Sequence, residues 1–303
     1  MELTIGLVGC GRWGTNHLAT LVALREEGLL TRIVVSDADP DVLASVDSDA
    51  TYPSFSAMLE NEELNGVAIA TPDITHLEMA SLAAKHRLPM LVEKPLGSSV
   101  REVEDFFDTL PDDTILVIGY QLRHHNGLKR MMAAMNDMEL GSFLLSYVRR
   151  TPRPKPAEAD IVHALATHGL DTISFMRDTL LENMEVRDLD ITESTARIQL
   201  HSGGSISLVN VEWGAEAEVR KIAVQGDLNA AMLDFGTGDL EWYVGEGFNQ
   251  PPLLEQYNEP PLLSEWRFFL HHIHEQEPIV FPPKKSIIDH LSWIESNCKH
   301  NTG

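Results

Sequence analysis

The sequence predicts an α/β fold: an N-terminal doubly wound parallel sheet over residues 1–120, then an α+β domain over 121–303 with a mostly antiparallel, open-faced sheet. Three observations predict it. Short apolar runs alternate with helical stretches through the first 120 residues, which is the pattern of parallel strands joined by crossover helices. A glycine-rich turn joins the first run to the first helix. Beyond Gln121, strand-like runs follow one another without helices between them, as in antiparallel hairpins.

Taken in order, Leu3–Val8 (LTIGLV) reads as a buried strand ending in glycines, and a helical pattern runs from Trp13 to about Glu27. Arg32–Ser36 is a second strand, Val42–Val46 a short helix and Gly66–Ala70 a third strand. A helix over about Thr75–His86 leads to a strand at Leu88–Val92, and a helix over about Ser99–Leu110 leads to a strand at Thr114–Gly119. In the second domain one helix and a strand at about Gly141–Arg150 precede a proline-rich connection, Thr151–Pro156. A helix over Asp160–Met176 follows. Six strand-like runs come next: Met184–Ile191, Ser194–His201, Ser205–Trp213, Arg220–Gln225, Ala230–Phe235 and Leu240–Val244. Turn residues such as Ser202-Gly203-Gly204 separate them. The tail returns to helix at about Leu262–Gln276 and Lys285–Cys298.

Composition narrows the function classes. A formal net charge of −23 argues against nucleic acid and against anionic membrane surfaces, both of which would repel it. The two cysteines, Cys10 and Cys298, make no disulfide framework or zinc pattern, so a reducing compartment is expected. Met1 to Ile5 leads straight into the first strand without a basic region, so no secretory signal is expected, and no stretch reaches membrane-span length. These readings together predict a cytoplasmic protein.

Gly9-Cys10-Gly11-Arg12-Trp13-Gly14 is a GxGxxG directly after a strand and opening a helix. Its first glycine makes the tight turn, its second lets the backbone approach a pyrophosphate, and its third lets helix pack on strand. Asp37 closes the second strand 23 residues past Gly14, where a carboxylate can accept both ribose hydroxyls and repel a 2′-phosphate. NAD is therefore expected over NADP. Asp39 is a near rival for that role, against the favoured reading of an acidic turn residue ahead of Pro40, and Arg32 precedes the strand, poorly placed to hold a 2′-phosphate.

Five segments stand out: GCGRWGTNH (Gly9–His17), ATPDITH (Ala70–His76), VEKPL (Val92–Leu96), GYQLRHHN (Gly119–Asn126) and THGLD (Thr167–Asp171). Together they make the chain resemble the Gfo/Idh/MocA oxidoreductases, a Rossmann-fold family. The resemblance implies that Lys94 stands near the nicotinamide and the reacting carbon. It also implies cofactor contacts from Gly9, Gly11, Arg12, Trp13, Gly14, Asp37, Thr71, Pro72, His76 and Glu93. His76 reads equally as a helix N-terminal residue without a ligand. The family's helix carries Asp, then His four residues on, then Asp three further, which map to Ala164, His168 and Asp171. His168 is suited to take a proton near neutral pH, and Asp171 to orient substrate hydroxyls. Ala164 removes the first carboxylate. On a regular helix His163 lies about 140° from His168, and Asp160 is placed to cap the helix.

The adjacent pairs His124-His125 and His271-His272 send their rings apart and lack a completing ligand, so no metal site is expected. Arg123, Arg149 and Arg153 are candidates to hold a substrate anion, each against the plain alternative of surface arginine. The function expected is NAD-dependent hydride transfer with a sugar, sugar derivative or cyclitol, with Lys94, His168 and Asp171 as catalytic residues. Reduction of an imine or enamine, or a nucleotide-binding sensor or scaffold without turnover, remain alternatives. Ser205–Trp213 and Ala230–Phe235 look too apolar for an open sheet face, so a homodimer or homotetramer through that sheet is expected.

Overall fold

The computed structural model describes residues 3–298 except 136, 139, 158 and 246–249. Met1 and Glu2, on which the expectation about a leader rests in part, lie outside the described residues. The chain divides into two compact units, Met1–Gln121 with Leu262–Leu291, and Leu122–Pro261 with Ser292–Gly303.

The first unit holds a seven-stranded sheet. Its strands in chain order are β1 (Thr4–Val8), β2 (Arg32–Ser36), β3 (Ala50–Tyr52), β4 (Gly66–Ile69), β5 (Met90–Val92), β6 (Ile115–Ile118) and β15 (Ile279–Phe281). Their order across the sheet is β15-β6-β5-β4-β1-β2-β3, and every pairing is parallel. Alternation along the strands sends Ile5, Leu7, Ile33 and Val35 into one apolar layer, and Val8, Val34, Val67 and Ile69 into the other. Helices α1 (Gly14–Glu26) and α8 (Pro261–Glu275) supply Leu21, Leu24, Trp266 and Phe269 to the first layer. Helices α3 (Phe55–Asn61), α4 (His76–Lys85) and α5 (Val100–Thr109) cover the second with Met58, Ala83 and Phe106. This is the doubly wound arrangement that alternating strands and helices predict.

Strands β3 and β15 do not stand out in the sequence. Each is three residues long, too short for a period to register, and β15 sits between Pro278 and Pro282. The domain division also differs from an uninterrupted 121–303. The first break falls at Gln121, but Leu262–Leu291 belongs with the first unit. The stripe Leu262, Trp266, Phe269 and Ile273 marks a helix that must bury one face, yet its spacing does not say against which sheet.

The second unit carries eight strands: β7 (Leu144–Thr151), β8 (Glu185–Ile191), β9 (Thr195–Ser202), β10 (Ser205–Trp213), β11 (Val219–Gln225), β12 (Asn229–Asp234), β13 (Asp239–Val244) and β14 (Leu253–Gln256). They run in the order β14-β13-β12-β11-β7-β10-β9-β8, antiparallel except where β7 meets β10. Helix α7 (Thr167–Met176) packs tightly on this sheet. A Cβ at Gly169 would stand 2.5 Å from Tyr147 and 2.8 Å from Val209, so only glycine allows the approach. Along β10, Val209, Val211 and Trp213 are buried, while Ile206, Leu208, Asn210 and Glu212 alternate onto the other face and are half-buried. Ile206 and Leu208 pair there with Leu144 and Ser146 of β7.

Candidate active site

The register Val8–Ser36, Val8–Ile69, Ile69–Val92 and Val92–Ile118 aligns the carboxyl ends of the five central parallel strands on one edge of the first sheet. The glycine loop, Asp37, Thr71, the Glu93-Lys94 pair and Gly119 all follow from that edge, where ligands of open α/β sheets bind. Gly9 has φ +87°, and a Cβ on it would meet the Ala70 backbone at 2.9 Å. A Cβ on Gly14 would stand 2.2 Å from the Gly9 carbonyl oxygen, so helix and loop close on each other only without side chains. Around Gly11 there is open space. No side chain caps the amino end of α1, where the helix dipole favours an anion.

Asp37 is held in place by backbone donors. Its Oδ2 accepts from Cys10 N at 2.7 Å and its Oδ1 from Asp39 N at 2.9 Å. Each oxygen keeps further acceptor capacity for a ribose hydroxyl. Asp39 caps α2 (Pro40–Ser45) by accepting from Asp41 N, the turn role expected of it. Arg32 pairs with Glu62 at 2.7 Å. Beside Asp37 lies a cavity of about 350 Å³ lined by Gly9, Asp37, Pro53, Phe55, Thr71 and Met79 among others. These features fit a dinucleotide: an open glycine loop and uncapped helix end for its pyrophosphate, a fixed carboxylate for a ribose, and a mainly apolar slot for a base.

The remaining loop residues take distinct places. Arg12 and Pro72 are exposed, and Thr71 Oγ1 accepts from Thr75. His76 is buried, with Nδ1 2.7 Å from the Pro95 carbonyl and Nε2 2.8 Å from that of Thr71. Its ring therefore ties the loop after β4 to the loop after β5. Glu93 is buried as well. Its Oε1 accepts from the Trp13 indole and from His17 Nε2, the latter at 2.9 Å. Burial alone would raise the Glu93 carboxyl, but the His17 hydrogen bond and the Trp13 and Lys94 contributions hold it below the ordinary value. Lys94 is half-buried two residues past β5.

In the second unit the histidine helix begins irregularly. Asp160 Oδ1 accepts from Val162 N and His163 N, which makes Asp160 the cap. Val162–Ala166 then forms a π-helical turn, with Thr167 N bonded to Val162 O. The extra residue winds the chain back by up to about 100°, so the regular-helix angle of His163 from His168 does not hold, and His163 turns towards the His168 face. Ala164 is half-buried and packs against the apolar core of the unit. Sequence periodicity carries no mark of a π turn.

Asp171 is buried at 3% exposure, and its carboxylate is engaged by Arg123. Arg123 Nη2 stands 2.7 Å from Oδ1, and its Nε 3.0 Å from both oxygens. The guanidinium lies 4.8 Å from the Phe175 ring centroid. Burial pushes the Asp171 carboxyl upward and Arg123 opposes that rise. Arg123, expected as an anion holder or a surface residue, is thus a buried partner of Asp171, and Arg149 pairs with Glu218. Burial drives the His124 imidazole down to about 3 and that of His125 to about 4, so both are neutral packing groups. Among the described residues no cluster of three or more His, Cys, Asp or Glu is arranged to hold a metal ion.

Fold and loop together define a dinucleotide-binding Rossmann unit accompanied by an α+β unit. Residues 3–120 match the Gfo/Idh/MocA model, described as an oxidoreductase family with an NAD-binding Rossmann fold. It is 33% identical over 144 residues to the rhizopine catabolism protein MocA of Rhizobium meliloti, covering 46% of this chain and 44% of that one. It is 27% identical over 254 residues to inositol 2-dehydrogenase 1 of Paenarthrobacter aurescens, covering 78% and 74%. The chain spans about half the length of the first curated relatives it matches. A levoglucosan dehydrogenase solved with NADH and levoglucosan shares the fold at TM-score 0.81 and 15% identity, over 98% of this chain and 96% of that one.

Proposed function

We propose that the protein is an NAD-dependent dehydrogenase that acts on a carbinol carbon of a sugar, sugar derivative or cyclitol. The observation that carries the reading is Lys94 at the same sheet edge as the glycine loop and Asp37. When bound, the nicotinamide supplies the hydride acceptor. The glycine loop and the α1 amino end hold the pyrophosphate, and Asp37 accepts from the adenosine ribose. Thr71 and Pro72 border that part of the ligand. Lys94 donates a hydrogen bond to the reacting oxygen and takes part in moving its proton, with His168 as the second proton-handling group. Purified protein scanned for bound nicotinamide, then assayed with NAD on a panel of polyols and sugar nucleotides, tests the reading. Absence of nicotinamide binding would favour a scaffold without turnover. The apolar packing of Ala164 leaves His168 without the family carboxylate and favours the reductive alternative, imine or enamine reduction, which asks less of a base.

The preference for NAD follows from Asp37. NADP(H) should bind much more weakly than NAD(H), and Asp37→Ala should narrow that gap, because ribose contact and phosphate repulsion vanish together. Equal affinity of the unaltered protein for both cofactors, read by nucleotide titration, would remove the assignment.

The outward sheet face with Leu144, Val148, Ile206, Leu208 and Met232 supports self-association as a homodimer or homotetramer. Leu208→Glu with Ile206→Lys should give a folded monomer by light scattering. An unaltered mass in solution would exclude this face. Among the described residues no helix is long and apolar enough to cross a membrane. With the reduced-cysteine composition, that supports a cytoplasmic location, which fractionation of the native cells would test.

A further inference from the structure

We propose that Trp266 and His17 are positioning residues for Lys94, acting through the carboxylate of Glu93. The inference rests on the dehydrogenase reading, and it gives a task to the helix that returns to the first unit from late in the chain.

The chain of contacts has a direction. An indole N–H can only donate, so Trp266 Nε1, 3.0 Å from His17 Nδ1, requires that nitrogen to accept. The ring hydrogen of His17 then sits on Nε2 and points at Glu93 Oε1, 2.9 Å away. The Trp13 indole donates to the same oxygen from the glycine loop. The Trp266 and His17 rings meet edge-on, with centroids 5.8 Å apart, which fixes the imidazole plane. With Oε1 held by two donors, Oε2 is directed at the Lys94 backbone N–H, 3.3 Å away, and at Gly119, where a Cβ would come within 2.9 Å of it. His17 and Trp266 are fully buried and Glu93 nearly so.

The burial makes the arrangement informative. An apolar cluster of similar volume would stabilise this layer at least as well, since desolvating a carboxylate is costly. Instead, donors from the glycine loop and from α1 converge on one oxygen of the residue before Lys94, and the α8 indole donates to the far nitrogen of the α1 imidazole. Glu265, the neighbour of Trp266, is also fully buried, and burial together with the charge of Glu93 pushes its carboxyl well up. The result is an oriented carboxyl adjoining the Lys94 backbone, set by residues that need not touch substrate or cofactor.

The test uses the 303-residue chain and three variants. Trp266→Phe keeps the ring and removes only the N–H, His17→Gln keeps a donor for Glu93, and His17→Leu keeps none. Trace labelling of Lys94 with acetic anhydride across pH, read by peptide mass spectrometry, reports its amine without any substrate. The midpoint of labelling should shift by about one pH unit in Trp266→Phe and His17→Leu, and less in His17→Gln, as one hydrogen bond is worth roughly tenfold. Turnover should fall about tenfold in the first two variants while NADH affinity holds. If His17→Leu does not fold, Trp266→Phe carries the test. A parental labelling profile in folded Trp266→Phe overturns the proposal. The dehydrogenase reading fails separately, if the parent binds no nicotinamide or turns over without Lys94.

Discussion

Lys94→Ala should lower turnover by about 10²–10⁴-fold while leaving NADH affinity unchanged, because a proton-transfer group contributes to the reaction and little to holding the cofactor. The loop it leaves is otherwise intact. Glu93 keeps its bonds to Trp13 and His17, and His76 still ties the Pro95 carbonyl to that of Thr71. Lys94→Arg separates two possible roles. Arginine keeps the positive charge but does not deprotonate, so it should fail to rescue if Lys94 moves a proton, and should restore part of the rate if Lys94 only polarises an oxygen. Steady-state turnover beside NADH fluorescence titration distinguishes these outcomes. An alanine variant with parental turnover would refute the role.

The first sheet was legible because its strands are continuous apolar runs with glycine or acidic residues at their ends, as at Val8-Gly9 and Ser36-Asp37. The series of strands in the second unit was legible for the opposite reason, alternation without intervening helix, as along β10. What the sequence concealed is long-range. The spacing of Trp266 and Phe269 marks an amphipathic helix, but not that it packs beside α1 in the first unit. His17 is an unremarkable residue inside α1 until Glu93 and Trp266, 76 and 249 positions away, are brought to its two ring nitrogens. The π turn before His168 likewise follows no local period. Asp171 was readable as a carboxylate on the histidine helix, whereas its guanidinium partner, 48 residues earlier, was not.

That partner makes Arg123 the second site of large expected effect. Arg123→Ala should destabilise the protein by about 3–5 kcal/mol, since it strands the Asp171 carboxylate in a site only 3% exposed. Asp171→Ala should cost a similar amount by stranding the guanidinium, although Phe175 retains part of its contact with the cation. Replacing both residues, as Arg123→Met with Asp171→Leu, should recover much of the loss, because apolar side chains of similar volume often replace a buried pair at little cost. Denaturant unfolding of the parent, Arg123→Met, Asp171→Leu and the double variant gives the coupling between the two positions. The double variant also isolates chemistry from folding. A folded double variant that turns over at the parental rate makes the pair purely structural, and Asp171 then has no part in substrate binding. A folded double variant with an intact NADH site and a collapsed rate returns Asp171 to the reaction, with Arg123 holding it one turn after His168. Single variants as stable as the parent would contradict the buried pair itself.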